Sequence, residues 1–191
     1  MGDCPVKLQA MGTKSTIYKA ELMITDMDRQ YYETHNLVIA QHPSEPDRRL
    51  MARLLVFALF ADKRLEFGRG ISSDQDPDFW RRDLTGVIEQ WIEMGQPEES
   101  DIRKACGLSK EVIVVTYSGN SADVWWTKNA TSLSKLKNLK VLDIQSDSLD
   151  EATRLLDRRM SLTATIQDGE FQLSNGTDCC VVVSKFRQSN V

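Results

Sequence analysis

The feature that most constrains this chain is the alternation of apolar strand and helix patterns between about Glu93 and Ile144. At its centre Val112-Ile113-Val114-Val115 forms an unbroken β-branched run within a strand read over Glu111 to Tyr117. A strand apolar on both faces needs cover on both faces, as in a parallel sheet with crossover helices. A helix pattern precedes it, with Gln96-Pro97-Glu98-Glu99 at the head and Arg103, Lys104 and Gly107 at the tail. Acids at the start, bases at the end and a terminal glycine suit a helix and its dipole. After the run, Ser118-Gly119-Asn120-Ser121 turns into a helix carrying Trp125 and Trp126, and Leu139 to Ile144 is the next strand.

The flanks read differently. From Ser15, Tyr18, Ala20, Leu22 and Ile24 alternate with Lys19 and Glu21, the period of a half-buried strand. A polar turn at Asp26 to Arg29 leads to a second strand over Tyr32 to Gln41, predicting an antiparallel pair. Ser44, with Asp47 three residues on and Pro46 between, predicts a capping box for a helix with a Leu50, Leu54, Phe57, Ala58 and Ala61 stripe. A short strand is expected near Leu65 to Phe67 and a loop over residues 68–77. Ser148 and Glu151 box another short helix. Leu162 to Gln167, Phe171 to Leu173 and Cys179 to Phe186 read as a closing meander with turns at Asp168-Gly169 and Asn175-Gly176. The expectation is an α/β (α+β) mixed sheet with antiparallel strands added at both ends: a loose leader over 1–13 and one domain over 14–191.

Composition narrows function mainly by exclusion. With 191 residues, 41% hydrophobic and 27% charged, the chain can bury an ordinary core. The longest apolar run, Leu54 to Ala61, falls far short of the roughly 18 residues of a membrane span. Neither a signal-peptide pattern nor a C-x-x-C pair is present, so Cys4, Cys106, Cys179 and Cys180 are expected as reduced thiols of a cytoplasmic protein. With His35 and His42 the only histidines, a His-rich metal site or a Ser-His-Asp triad is disfavoured. A net charge of −4 counts against unaided nucleic-acid binding.

Chemistry is concentrated in Asp76-Pro77-Asp78 through Glu93-Met94-Gly95-Gln96. Phe79 to Leu84 and Val87 to Met94 suggest a hairpin. If it turns on Thr85-Gly86 alone, Asp78 faces Glu93, Trp80 faces Trp91 and Arg82 faces Glu89, each about 5 Å apart. A four-residue loop would instead set Asp78 against Trp91. Two facing carboxylates call for a proton or a hard cation such as Mg²⁺ or Mn²⁺ between them. The alternative is Asp78 as a loop carboxylate and Glu93 paired with an arginine. Trp80, Trp91, Trp125 and Trp126 suit a core before a stacking surface. The Ser118-Gly119 turn suits a helix cap before a phosphate site. Lys135, Lys137 and Lys140 suit a solvated helix end.

The chain resembles the YaeQ family of bacterial proteins. The resemblance lies in Ser15-Thr16-Ile17-Tyr18-Lys19-Ala20, His42-Pro43-Ser44-Glu45 and Phe67-Gly68-Arg69-Gly70. It continues in Trp91-Ile92-Glu93-Met94-Gly95-Gln96-Pro97, Ile102-Arg103-Lys104-Ala105-Cys106 and Thr163-Ala164-Thr165-Ile166-Gln167-Asp168-Gly169. It implies a variant of the restriction-endonuclease-like PD-(D/E)XK fold: helix, three strands, helix, strand. In that pattern Pro77-Asp78 is the Pro-Asp element, Glu93 the later acid and Glu45 the third carboxylate, with Asp78 and Glu93 as metal ligands. The implied activity is phosphodiester hydrolysis with Mg²⁺ or Mn²⁺ and no organic cofactor. Gly95 stands where the pattern has its lysine, leaving Gln96 or Lys104 as substitutes. Arg49, Arg69 and Gln96 are the candidates for substrate contact. The other expectation is a non-catalytic nucleic-acid- or protein-binding module, favoured by the missing lysine, while thirteen Asp+Glu against ten Lys+Arg over residues 45–104 count against hydrolysis without a metal.

Overall fold

The computed structural model describes residues 15–68 and 76–189. The expected leader, Cys4, Arg69, Gly70 and most of the 68–77 loop lie outside the described residues. The chain runs β1 (Thr16–Asp26), β2 (Tyr31–Gln41), α1 (Asp47–Leu59), β3 (Leu65–Phe67), β4 (Phe79–Arg82), β5 (Ile88–Met94) and α2 (Glu99–Leu108). It continues through β6 (Ser109–Thr116), α3 (Asn120–Leu133), β7 (Leu139–Ile144) and α4 (Ser146–Thr153). It closes with β8 (Arg159–Gln167), β9 (Glu170–Ser174), β10 (Cys179–Val182) and β11 (Ser184–Gln188).

Two sheets form. One has the order β10-β9-β8-β1-β2, the other β11-β7-β6-β5-β4-β3. In the second, β5, β6 and β7 are parallel, as the strand–helix alternation predicts. The unbroken apolar run of β6 serves two cores. Ile113 and Val115 join α1, α4 and the first sheet, while Val112 and Val114 pack with Ile102 of α2 and Leu133 of α3. Helix α1 buries Leu50 to Ala52 and Leu54 to Ala58, far more than one stripe. A helix apolar nearly all round belongs inside a protein, and α1 shares its core with side chains of both sheets.

Several expectations are corrected. The two ends do not stay separate antiparallel additions, because β1 runs parallel to β8, with Leu22 opposite Leu162. Cys179 to Phe186 is two strands: β10 pairs with β9, and after Val183 the chain passes to the other sheet, where β11 pairs with β7. Ser44 does not cap α1, whose first turn follows Pro46; its hydroxyl meets His42 Nδ1 instead. Helix α2 continues through Gly107. Helix α4 begins at Ser146, and Ser148 donates its hydroxyl to the Gln145 carbonyl from inside the first turn. Cys106, Cys179 and Cys180 are free thiols, and the last two point to opposite sides, exposed and buried. Among the described residues no helix is long and apolar enough to cross a membrane.

Candidate functional site

The β4–β5 hairpin reaches its expected register by an unexpected route. Its loop holds three residues, Leu84-Thr85-Gly86, closed by the Asp83 N–H donating to the Val87 carbonyl. Asp83 Oδ1 organises the loop by accepting from the Thr85 and Val87 amides and the Thr85 hydroxyl, and Gly86 takes φ +89°. A three-residue loop ending in a left-handed glycine shifts the pairing by one. Arg82 therefore faces Ile88, not Glu89. A bulge between Arg81 and Arg82 absorbs Glu89 and restores the register, so Trp80 faces Trp91 and Phe79 faces Ile92.

This register carries Asp78, just ahead of β4, to the end of β5. Gly68 fixes the approach: its N–H donates to the Asp78 carbonyl, and a Cβ there would stand 1.7 Å from the Pro77 carbonyl oxygen. Only glycine admits so close a backbone crossing. Asp78 Oδ2 then accepts the Met94 backbone N–H at 2.7 Å, which anchors the carboxylate at the end of β5, one residue past Glu93. Asp78 Oδ1 accepts from Arg49 Nη2 at 2.5 Å. Arg49 also donates Nη1 to the Tyr117 hydroxyl at 3.1 Å, and its Nε lies 3.8 Å from Glu45 Oε1. Glu45 is 6% exposed and is held by Arg53 at 3.3 Å.

Burial governs the protonation of this cluster. It raises the Glu93 pKa to about 7, the Trp91 hydrogen bond opposing and the charges of Asp78 and Asp101 reinforcing the rise. The indole Nε1 of Trp91 donates to Glu93 Oε1 at 2.8 Å. Burial also raises the Asp78 pKa, with Arg49 and the Met94 amide opposing. Both Asp78 oxygens accept from donors, which suits the ionised form. Arg49 loses hydration on burial, the largest single influence, but Asp78, Tyr117 and Glu45 together outweigh it and its pKa rises.

The expected three-carboxylate arrangement does not assemble. Glu45 turns to Arg53 and Arg49, and the Arg49 guanidinium stands between Glu45 and Asp78. Among the described residues no three His, Cys, Asp or Glu side chains form a metal-holding group. Arg49, expected at a phosphate, is an internal counter-ion. Lys104 lies exposed on α2, whose buried residues are Ile102 and Ala105. Gln96 is partly buried with an unpartnered Nε2. Gly95 takes φ +100° and donates its N–H to the Val115 carbonyl, so the backbone leaves the strand where the motif would place its lysine.

Tyr117, Arg53, Asp101 and the indole of Trp91 belong to this site but were not among its expected residues. Helical spacing carried a signal for Arg53, four residues beyond Arg49 on α1. The Trp91–Glu93 bond joins residues two apart on one strand face, also a readable spacing. Tyr117 left no local signal, because its link to Arg49 spans 68 residues.

A family model described as YaeQ protein matches residues 11–184. This chain belongs to the YaeQ family. A YaeQ protein of Escherichia coli K12, described as uncharacterised, is 41% identical over 165 residues, 86% of this chain and 91% of that one. Its Salmonella typhi counterpart is 39% identical over the same shares. Among solved structures, the YaeQ protein of Xanthomonas axonopodis pv. citri is 48% identical with a TM-score of 0.88, covering 92% of this chain and 99% of that one. The Pseudomonas syringae YaeQ protein is 29% identical with a TM-score of 0.86, covering 92% and 97%. The two-sheet architecture is therefore that of solved YaeQ proteins.

Proposed function

We propose that this YaeQ protein is a divalent-cation-dependent phosphodiester hydrolase on a PD-(D/E)XK-like core. The observation that carries the reading is the Asp78 carboxylate anchored on the amide of Met94, the residue after Glu93, close enough for its charge to raise the Glu93 pKa. The run α1, β3, β4, β5, α2, β6 also follows the helix–three strands–helix–strand order of such nucleases. Asp78 is a carboxylate held by backbone, and Glu93 keeps Oε2 free of the Trp91 bond. Two carboxylates suit Mg²⁺, which keeps several waters and commonly takes one or two acidic ligands. Such an ion supplies a water of lowered pKa and stabilises charge on phosphate. The chain's own part is to hold the two acids together, with Arg49 offsetting their repulsion. Cytoplasmic residence and a nucleic-acid substrate belong to the same proposal.

A binding-only role is the second reading, and Gly95 favours it. At φ +100° this position strains any lysine, so the motif's water-activating group cannot be restored in place. Thermal unfolding with Mg²⁺ or Mn²⁺, followed by assays on single-stranded, duplex and branched DNA and RNA, tests both. The hydrolase reading expects a metal-dependent rise in Tm for wild type, none for Glu93→Ala, and cleavage that Asp78→Asn abolishes. A metal-dependent rise without cleavage of any substrate supports binding alone. An unmoved wild-type melting curve overturns the metal site.

A further inference from the structure

Arg49 occupies the carboxylate that the proposed cation would need, and it has a second acid within reach. Its Nη2 is on Asp78 at 2.5 Å, while its Nε is buried without a hydrogen-bond partner 3.8 Å from Glu45 Oε1. An unpaired buried N–H facing a carboxylate just beyond bonding distance marks a guanidinium held off one acid by its bond to another. Glu45 is fixed to receive it. Its side chain is 3% exposed, Arg53 holds it at 3.3 Å, and the His42 N–H approaches Oε2 at 3.4 Å. Glu45 lies two residues ahead of α1 and Arg49 in its first turn, so side-chain rotation can close the 3.8 Å gap without movement of α1.

We propose that Arg49 is a built-in stand-in for the cation and that Glu45 is a positioning residue that takes up Arg49 when a divalent ion binds Asp78. This rests on the proposed metal role of Asp78 and Glu93. The exchange raises the positive charge beside Asp78 by one, since a divalent ion arrives as a guanidinium leaves, and Glu45 gives that guanidinium a partner. The exchange assigns Glu45 a purpose other than direct ligation, in keeping with its pairing to Arg49 and Arg53. Tyr117 remains available to Arg49 Nη1 as a pivot.

The test is a double-mutant cycle read by calorimetric titration with Mn²⁺, using the full chain with folding checked by circular dichroism. Arg49→Gln should tighten Mn²⁺ binding about tenfold by removing the competitor, and Glu45→Gln should weaken it by a similar factor, the usual scale of coupling between sites. In the Arg49→Gln background, Glu45→Gln should have little further effect, because nothing is left for Glu45 to receive. Weakening by Glu45→Gln that is equal in both backgrounds overturns the exchange in favour of a plain electrostatic field. Unchanged or weaker binding in Arg49→Gln also overturns it. Binding seen only in Arg49→Gln supports it in an extreme form. No binding by any variant removes the metal site and the exchange together, whereas loss confined to Glu93→Ala with the cycle additive sinks the exchange alone.

Discussion

Asp78 and Arg49 form a partly buried ion pair, 2.5 Å from Oδ1 to Nη2, that ties the start of β4 to the first turns of α1. Their side chains are 10% and 21% exposed. Removing one partner of such a pair leaves the other charged and poorly hydrated. Asp78→Ala should therefore destabilise the fold by about 3 kcal/mol. Asp78→Asn keeps an acceptor for the Met94 amide and should cost about half as much. Urea unfolding of the two variants decides it, and equal losses would mean that charge contributes nothing beyond the backbone bond.

Glu93 makes stability depend on pH across an unusual range for a glutamate. Its folded pKa, about 7, lies above the 4.5 of an unperturbed side chain. The native state thus holds a proton that the unfolded chain releases, and stability falls as pH rises from about 4.5 to about 7. Below that window the group is neutral in both states; above it the loss is complete, at most about 3 kcal/mol. Glu93→Gln should flatten this slope, leaving the variant more stable than wild type at pH 8. Trp91→Phe removes the donor that lowers the Glu93 pKa and should carry the window upward. Urea midpoints measured between pH 4 and 8 check both, and parallel profiles for wild type and Glu93→Gln would refute the assignment.

What could be read from the chain depended on how locally each feature is encoded. The parallel β5–β6–β7 unit was legible because Val112 to Val115 is apolar at every position and is flanked by helix signals. The facing of Trp80 with Trp91 was legible as a register, yet two errors cancelled: a loop one residue longer than expected and a bulge at Glu89. The parallel contact of β1 with β8 was not legible, because Leu22 and Leu162 are 140 residues apart and alternation is the same for parallel and antiparallel neighbours. The change of sheet at Val183 was hidden for a related reason, since β10 and β11 together read as one continuous strand. Glu45 was found as an acid near the site but misplaced in role, because its partners Arg49 and Arg53 compete for it along the helix.

Arg29 provides a link between the first sheet and α1 that no local pattern suggests. Its guanidinium reaches from the β1–β2 turn to the carbonyls of Ala58 and Ala61, at 3.3 and 3.1 Å, at the end of α1. Helix α1 has no basic residue in its own last turn, so Arg29 supplies the missing positive charge at the negative end of the helix dipole. Asp26, 1% exposed, holds the guanidinium through Nε at 2.5 Å and accepts the Arg29 amide at 2.9 Å. Arg29→Ala should cost about 3 kcal/mol, because it strands a buried carboxylate and uncaps two carbonyls at once. Asp26→Asn should cost less, since the amide keeps an acceptor for the Arg29 backbone and the guanidinium, 39% exposed, can rehydrate. The double variant should lie close to Arg29→Ala alone, because the two residues act as one unit. Urea unfolding measures these energies. Hydrogen exchange at the Phe60 amide, bonded to the Val56 carbonyl, reports whether the end of α1 frays. Strict additivity, or an unchanged Phe60 exchange rate in Arg29→Ala, would show that α1 ends without help from the turn.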